Sequence, residues 1–182
     1  MNKRIEIRLT GSGGQGVILA SIILADAAIE QGLNAVQTQS YGPEARGGAS
    51  KAEVIIGTEE INYPKVINPN ILLALNQNSY DKYVSSLDKD GILIADDSIK
   101  INNEKTHKVY SLPILKVAAE KFETQMVANI ISVGAIYFLI EDLIKKDIMV
   151  NSITERVPPV TLKKNIVAFN EGLKLMRGNY EK

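Results

Sequence analysis

The run Gly11-Ser12-Gly13-Gly14-Gln15-Gly16 constrains this chain more than any other stretch. It follows an alternating segment, Ile5-Glu6-Ile7-Arg8-Leu9-Thr10, and opens a long apolar-periodic run from Val17 to Ile29. The order is strand, glycine turn, helix. Glycines let a backbone turn sharply, approach a ligand closely and aim N–H groups at an anion. The dipole of the following helix adds favourable potential for negative charge. A phosphate- or carboxylate-facing loop at the first strand-to-helix junction of an α/β domain is the chemical reading, and a tight turn without a ligand is the plain one.

Gly11, Gly13 and Gly16 also match the dinucleotide pattern G-x-G-x-x-G in its required setting of strand before and helix after. A nicotinamide site further wants an Asp or Glu about 20 residues on, at the end of the second strand. That region reads Asn34-Ala35-Val36-Gln37-Thr38-Gln39, with no carboxylate. A stand-alone nucleotide-binding Rossmann enzyme, an oxidoreductase or a methyltransferase, is therefore the weaker alternative. A purely structural subunit with interface loops is a second one.

A chain of 182 residues, 45% of them hydrophobic, suits one domain with an ample core. Its formal net charge of zero gives no steering towards nucleic acid or an anionic membrane, and favours association with partner chains. The sequence has no cysteine, which excludes disulfides and any cysteine-ligated iron–sulfur cluster on this chain, and fits a reducing compartment. Glu6 and Arg8 interrupt the N-terminal run after Lys3 and Arg4, so no signal peptide is expected. The longest apolar stretch, Met126 to Ile140, contains Asn129 and Ser132 and is shorter than the roughly 20 residues of a membrane span. It reads as a buried helix in a cytoplasmic protein.

Strands dominate the first two thirds of the chain and helices the last third. The first helix spans about Gln15–Gln31 and stops at Gly32; a second strand follows at Ala35–Gln39. Lys51–Gly57 is a third strand, alternating at first, with one wet face and a possible antiparallel sense. Ile71–Leu75 is uniformly apolar, as a central strand should be. Ser79 is the expected cap of a helix through Leu87. Ile92–Ala95 makes a fifth strand before Asp96-Asp97, and His107–Ser111 a short sixth. Helices are expected from Pro113 to about Phe122, from Asn129 to Ile144, after a cap at Asn151 or Ser152, and from Val160 to Arg177 with Gly178 as the stop. The charges Glu6 and Arg8 conflict with a strand covered on both faces. They require an open face, or a loop or neighbouring chain that pairs them.

Between the second and third strands lies Ser40-Tyr41-Gly42-Pro43-Glu44-Ala45-Arg46-Gly47-Gly48. An aperiodic glycine-rich loop carrying one Tyr, one Glu and one Arg is of the functional kind. With both glycine loops in view, the chain resembles the gamma subunit, or gamma-type domain, of the 2-oxoacid:ferredoxin oxidoreductases. Asn129 and the run Asn165-x-x-Ala168-Phe169-x-x-Gly172 are weaker familial features; the likeness spans nearly the whole chain, and residues 1–182 are expected to form one gamma-type domain. The form of the second loop looks most like the 2-oxoglutarate-type branch.

The resemblance implies a thiamine-diphosphate-dependent complex that oxidatively decarboxylates a 2-oxoacid to an acyl-CoA and passes electrons to ferredoxin. Thiamine diphosphate, Mg²⁺ and iron–sulfur clusters belong to other subunits (alpha, beta and a ferredoxin-like delta), and coenzyme A is a substrate. It admits a homodimer within the complex. This chain would bind no cofactor alone and would help to form the active site and the coenzyme A path. Its nearest approach to a thiamine diphosphate motif, Asp90-Gly91 with Asn102-Asn103, lacks the first glycine and is too closely spaced.

The cofactor-contacting candidates are Gly11, Gly13, Gly14, Gln15 and Gly16 in the first loop, and Tyr41, Gly42, Glu44, Arg46, Gly47 and Gly48 in the second. Arg46 suits bidentate binding of a phosphate or carboxylate, or equally an interchain salt bridge. Tyr41 suits ring stacking or simple packing. No catalytic residue and no metal ligand is expected. His107, the sole histidine, allows no histidine-based triad or metal cluster, and Asp96-Asp97 reads as a strand end or helix cap. The expected fold is a three-layer α/β arrangement with a mostly parallel, Rossmann-like sheet, helices on both faces and an antiparallel edge.

Overall fold

The six strands assemble into one sheet in the order β2-β3-β1-β4-β5-β6, with helices packed against it. The computed structural model describes residues 4–40, 49–102 and 108–180. The strands are β1 (Arg4–Ser12), β2 (Asn34–Ser40), β3 (Ala49–Gly57), β4 (Ile71–Ala74), β5 (Ile92–Asp96) and β6 (Lys108–Leu112). The helices are α1 (Val17–Glu30), α2 (Gln77–Tyr83), α3 (Ile114–Phe122), α4 (Ala128–Ile140), α5 (Lys146–Arg156) and α6 (Leu162–Tyr180). β1, β4, β5 and β6 pair in parallel, whereas β3 runs antiparallel to both β1 and β2. The sheet is thus mostly parallel with its antiparallel pairings at one edge, as expected.

Helices cover both faces, unequally. Ile7, Leu9, Val54, Ile56, Ile71, Leu73 and Ile94 point into the main core, which takes residues from α1, α3, α4, α5 and α6. On the opposite face, Leu72, Ala74, Leu93 and Ala95 form a smaller core with Tyr80 and Leu87 from the α2 region and Ile99. β4 feeds both cores, which explains its uninterrupted apolar run.

That second face also resolves the conflict in β1. Arg8 and Glu53 stand directly opposite each other in the β1–β3 register, and both are buried. Arg8 Nε donates to Glu53 Oε1 at 2.7 Å, and its Nη2 donates to the Val66 carbonyl at 2.9 Å. The connection between β3 and β4 therefore lies over this face and supplies part of the pairing. β3 has no wet face at Glu53, contrary to expectation, because the partner charge of β1 is buried with it. At the strand's start, Arg4 pairs with Glu6 at 2.8 Å.

Three expected helix signals sit elsewhere. The cap of α2 is Asn76, whose side chain accepts the Ser79 N–H at 2.8 Å; Ser79 lies inside the first turn. Asn151 and Ser152 fall within α5, where the Ser152 hydroxyl donates to the Ile23 carbonyl of α1 at 2.8 Å. Gly178 does not stop α6, which continues to Tyr180. Tyr180 packs edge-on to Phe138 with centroids 5.1 Å apart, so an aromatic contact extends the helix past the glycine. The apolar stretch forms α4, buried on nearly every side, and among the described residues no helix is long and apolar enough to cross a membrane.

Candidate functional site

Parallel strands deliver their following loops to one edge of a sheet, and there the first glycine loop stands. β1 ends at Ser12, α1 begins at Val17, and Gly13 and Gly14 between them are exposed. Gly16 adopts φ +72°, in the left-handed region, and accepts the Ala20 N–H at 3.1 Å as the cap of α1. The first-turn N–H groups of a helix have no partner within it, so α1 presents donors and a positive dipole end at this loop.

Side-chain amides fix the loop. Gln15 Oε1 accepts the Ser12 N–H at 2.6 Å, while the Gln15 N–H donates back to the Ser12 carbonyl at 3.2 Å. Asn76, at the end of β4, donates from Nδ2 to Ser12 Oγ at 2.7 Å while its oxygen caps α2. Asn129, in the first turn of α4, sets its Nδ2 3.5 Å from the Gly16 carbonyl, and its oxygen accepts the Ile130 N–H at 2.9 Å. The side chains that hold the loop, Gln15, Asn76 and Asn129, are neutral hydrogen-bonding groups. Such a loop can receive an anion through oriented N–H and O–H donors, and it contains no side chain suited to acid–base work.

The stem of the second loop meets the first. Ser12 pairs with Ala49 and Gly11 with Ser50, while Ser40 pairs with Lys51. The last described residue before the second loop and the first one after it thus lie at the edge where the first loop begins. Tyr41, Gly42, Glu44, Arg46, Gly47 and Gly48 themselves fall outside the described residues, as do His107 and Asn103.

Other candidates resolve plainly. The Asp96 carboxylate is buried and accepts from the Leu115 N–H at 2.8 Å and the Ser98 N–H at 3.1 Å, so it caps α3. Among the described residues no cluster of three or more His, Asp or Glu could hold a metal ion. The run Asn165–Gly172 has a packing role. Gly172 lies against the Ile131 carbonyl and Gly134 against the Phe169 carbonyl, where α4 and α6 touch backbone to backbone.

Sequence reasoning missed Ser12 and Asn76. The Asn-x-x-Ser spacing of Asn76 and Ser79 is a cap signal, but nothing local announces that the same amide reaches Ser12. For Gly16, a β-carbon would lie 2.6 Å from Asn129 Nδ2 in addition to the left-handed φ. Gly16→Ala should therefore cost about 1–2 kcal/mol, read as a lower denaturation midpoint. Adding Asn129→Ala should recover only the crowding, not the backbone strain.

The model of the family described as pyruvate ferredoxin/flavodoxin oxidoreductase matches residues 6–175. A 2-oxoglutarate synthase subunit KorC of Methanocaldococcus jannaschii is 43% identical, covering 97% of this chain and 99% of that protein. Its counterpart in Methanothermobacter marburgensis is 44% identical over 95% and 97%. Among solved structures, the gamma subunit of the keto/oxoacid ferredoxin oxidoreductase from Geobacter sulfurreducens matches with a TM-score of 0.85. It is 38% identical, over 96% of this chain and 99% of that one. The 2-oxoglutarate:ferredoxin oxidoreductase of Magnetococcus marinus, solved with 2-oxoglutarate, coenzyme A and succinyl-CoA bound, shares the fold at a TM-score of 0.87. Identity there is 19%, over 97% of this chain and 31% of that one. These likenesses do not favour a stand-alone nucleotide-binding enzyme. The chain belongs to the pyruvate ferredoxin/flavodoxin oxidoreductase family, as a gamma-type subunit of the 2-oxoacid:ferredoxin oxidoreductases, enzymes of the EC 1.2.7 class.

Proposed function

We propose that this chain, acting as a single gamma-type domain over residues 1–182, is the non-redox subunit of a cytoplasmic complex that converts 2-oxoglutarate to succinyl-CoA and reduces ferredoxin. The names of the relatives at 43% and 44% identity support 2-oxoglutarate as the substrate. Alpha, beta and ferredoxin-like delta subunits would carry thiamine diphosphate, Mg²⁺ and the iron–sulfur clusters. The absence of cysteine from this sequence agrees with that division. Thiamine diphosphate would supply the carbanion chemistry of decarboxylation; this chain would supply binding surface, and alone it would be inactive.

The observation that carries the reading is the shared edge, where the stem of the Tyr41–Gly48 loop pairs with the start of the Gly11–Gly16 loop. A glycine loop rich in N–H donors, at the edge where Ser40 and Ala49 flank a second glycine segment bearing Arg46, suits the phosphates of coenzyme A. In the purified complex, Arg46→Ala should raise KM for coenzyme A about tenfold or more, the loss of one charged hydrogen-bonding partner. Subunit co-purification should be unchanged. A KM unchanged by Arg46→Ala would overturn the coenzyme A role, and a tagged native chain that travels alone would overturn the complex.

A further inference from the structure

The hydrogen bonds around Ser12 fix more than its place; they fix which way its hydroxyl points. Asn76 Oδ1 accepts the Ser79 N–H at 2.8 Å, which settles the orientation of the Asn76 amide. Its Nδ2, 2.7 Å from Ser12 Oγ, carries hydrogens and no lone pair to accept with. Ser12 Oγ must therefore be the acceptor in that contact, and its own hydrogen is free for another partner. Gln15 follows the same logic. Its Oε1 is taken by the Ser12 N–H at 2.6 Å, so the other end of its amide is the NH₂, a donor.

We propose that Asn76 is a positioning residue that makes the Ser12 hydroxyl a hydrogen-bond donor towards the ligand of the glycine loop. This rests on the reading of that loop as part of the coenzyme A path. With the hydroxyl, the Gln15 NH₂ and the first-turn N–H groups of α1 as donors, the loop is rich in groups that bind an anion. The ligand class it selects is a multi-oxygen anion, as in a phosphate or pyrophosphate group.

Asn76→Asp is the discriminating change. Aspartate caps α2 as well as asparagine does, so the fold should hold. A carboxylate only accepts, so Ser12 would turn its proton towards residue 76 and away from the ligand. The added negative charge also repels an anion, and a double-mutant cycle with Ser12→Ala separates the two effects.

In the purified complex, Asn76→Asp should raise KM for coenzyme A about thirtyfold, and only about threefold when Ser12 is already alanine. Turnover at saturating coenzyme A, subunit co-purification and the melting midpoint should stay near those of the parent. Equal effects in the two backgrounds would mean that the hydroxyl does not transmit the change, and would overturn the proposal even if Arg46→Ala raises KM. If Arg46→Ala leaves KM unchanged, the coenzyme A reading itself fails, and this inference with it.

Discussion

Arg8→Met is expected to destabilise the chain by about 3 kcal/mol, the lower end of what removing one partner of a buried ion pair costs. The penalty arises because Glu53 stays buried after its partner leaves. The lower end applies because Lys51 Nζ lies 3.2 Å from the same Glu53 oxygen and retains part of the compensation. A domain of this size should then melt roughly 10 °C lower. Replacing both residues, Arg8→Met with Glu53→Leu, should recover most of the loss, since an apolar pair needs no desolvation of charge. A single variant as stable as the parent would show that water reaches this pair and that the β3–β4 connection does not seal it.

Gly172→Ala should cost about 3 kcal/mol, the upper part of the range for overpacked cores. The added methyl would fall on the Ile131 backbone carbonyl, which cannot move aside as a flexible side chain does. α4 and α6 would have to separate, and Ala168 and Phe169, now fully buried, would lose contact with α4. Gly134→Ala should behave alike, since its methyl would meet the Phe169 carbonyl. The control lies in the same helix: Gly178 has nothing within reach of a β-carbon. There alanine should gain up to about 1 kcal/mol from helix propensity alone. Opposite signs at 172 and 178, read from chemical denaturation midpoints, would establish close packing as the cause. A loss at both positions would point to a general intolerance of α6.

What the sequence made legible was local. The β1–glycine–α1 unit, the apolar β4 strand and the buried α4 helix follow from period and punctuation within a few residues. The reversed sense of β3 was readable from its alternation, but its seat between β2 and β1 was not. That seat depends on pairing across the chain. The Arg8–Glu53 pair is a property of register, so the sequence showed that Arg8 needed an open face or a partner but not that Glu53 was the partner. Asn76 was hidden for a similar reason. Its partner Ser12 is distant in sequence, and Asn76 lies two residues past β4, between that strand and α2. At the site, Gly11 to Gly16 were legible from composition. The fixed orientation of Ser12 and Gln15 required the folded edge, because side-chain amides announce no direction in a sequence.

The opposition of Arg8 and Glu53 also works as an alignment key. Side chains alternate across a strand, so sliding β3 by one residue would send Glu53 into the main core and bring Val54 against Arg8. No such slide is tolerable, and the frame of β3 is therefore set by a charge rather than by shape alone. Ala49 and Ser50 belong to that same frame, opposite Ser12 and Gly11. A pair near the middle of β1 thereby gauges where the Tyr41–Gly48 segment rejoins the sheet. The segment's own length can vary at small entropic cost while its point of return stays fixed.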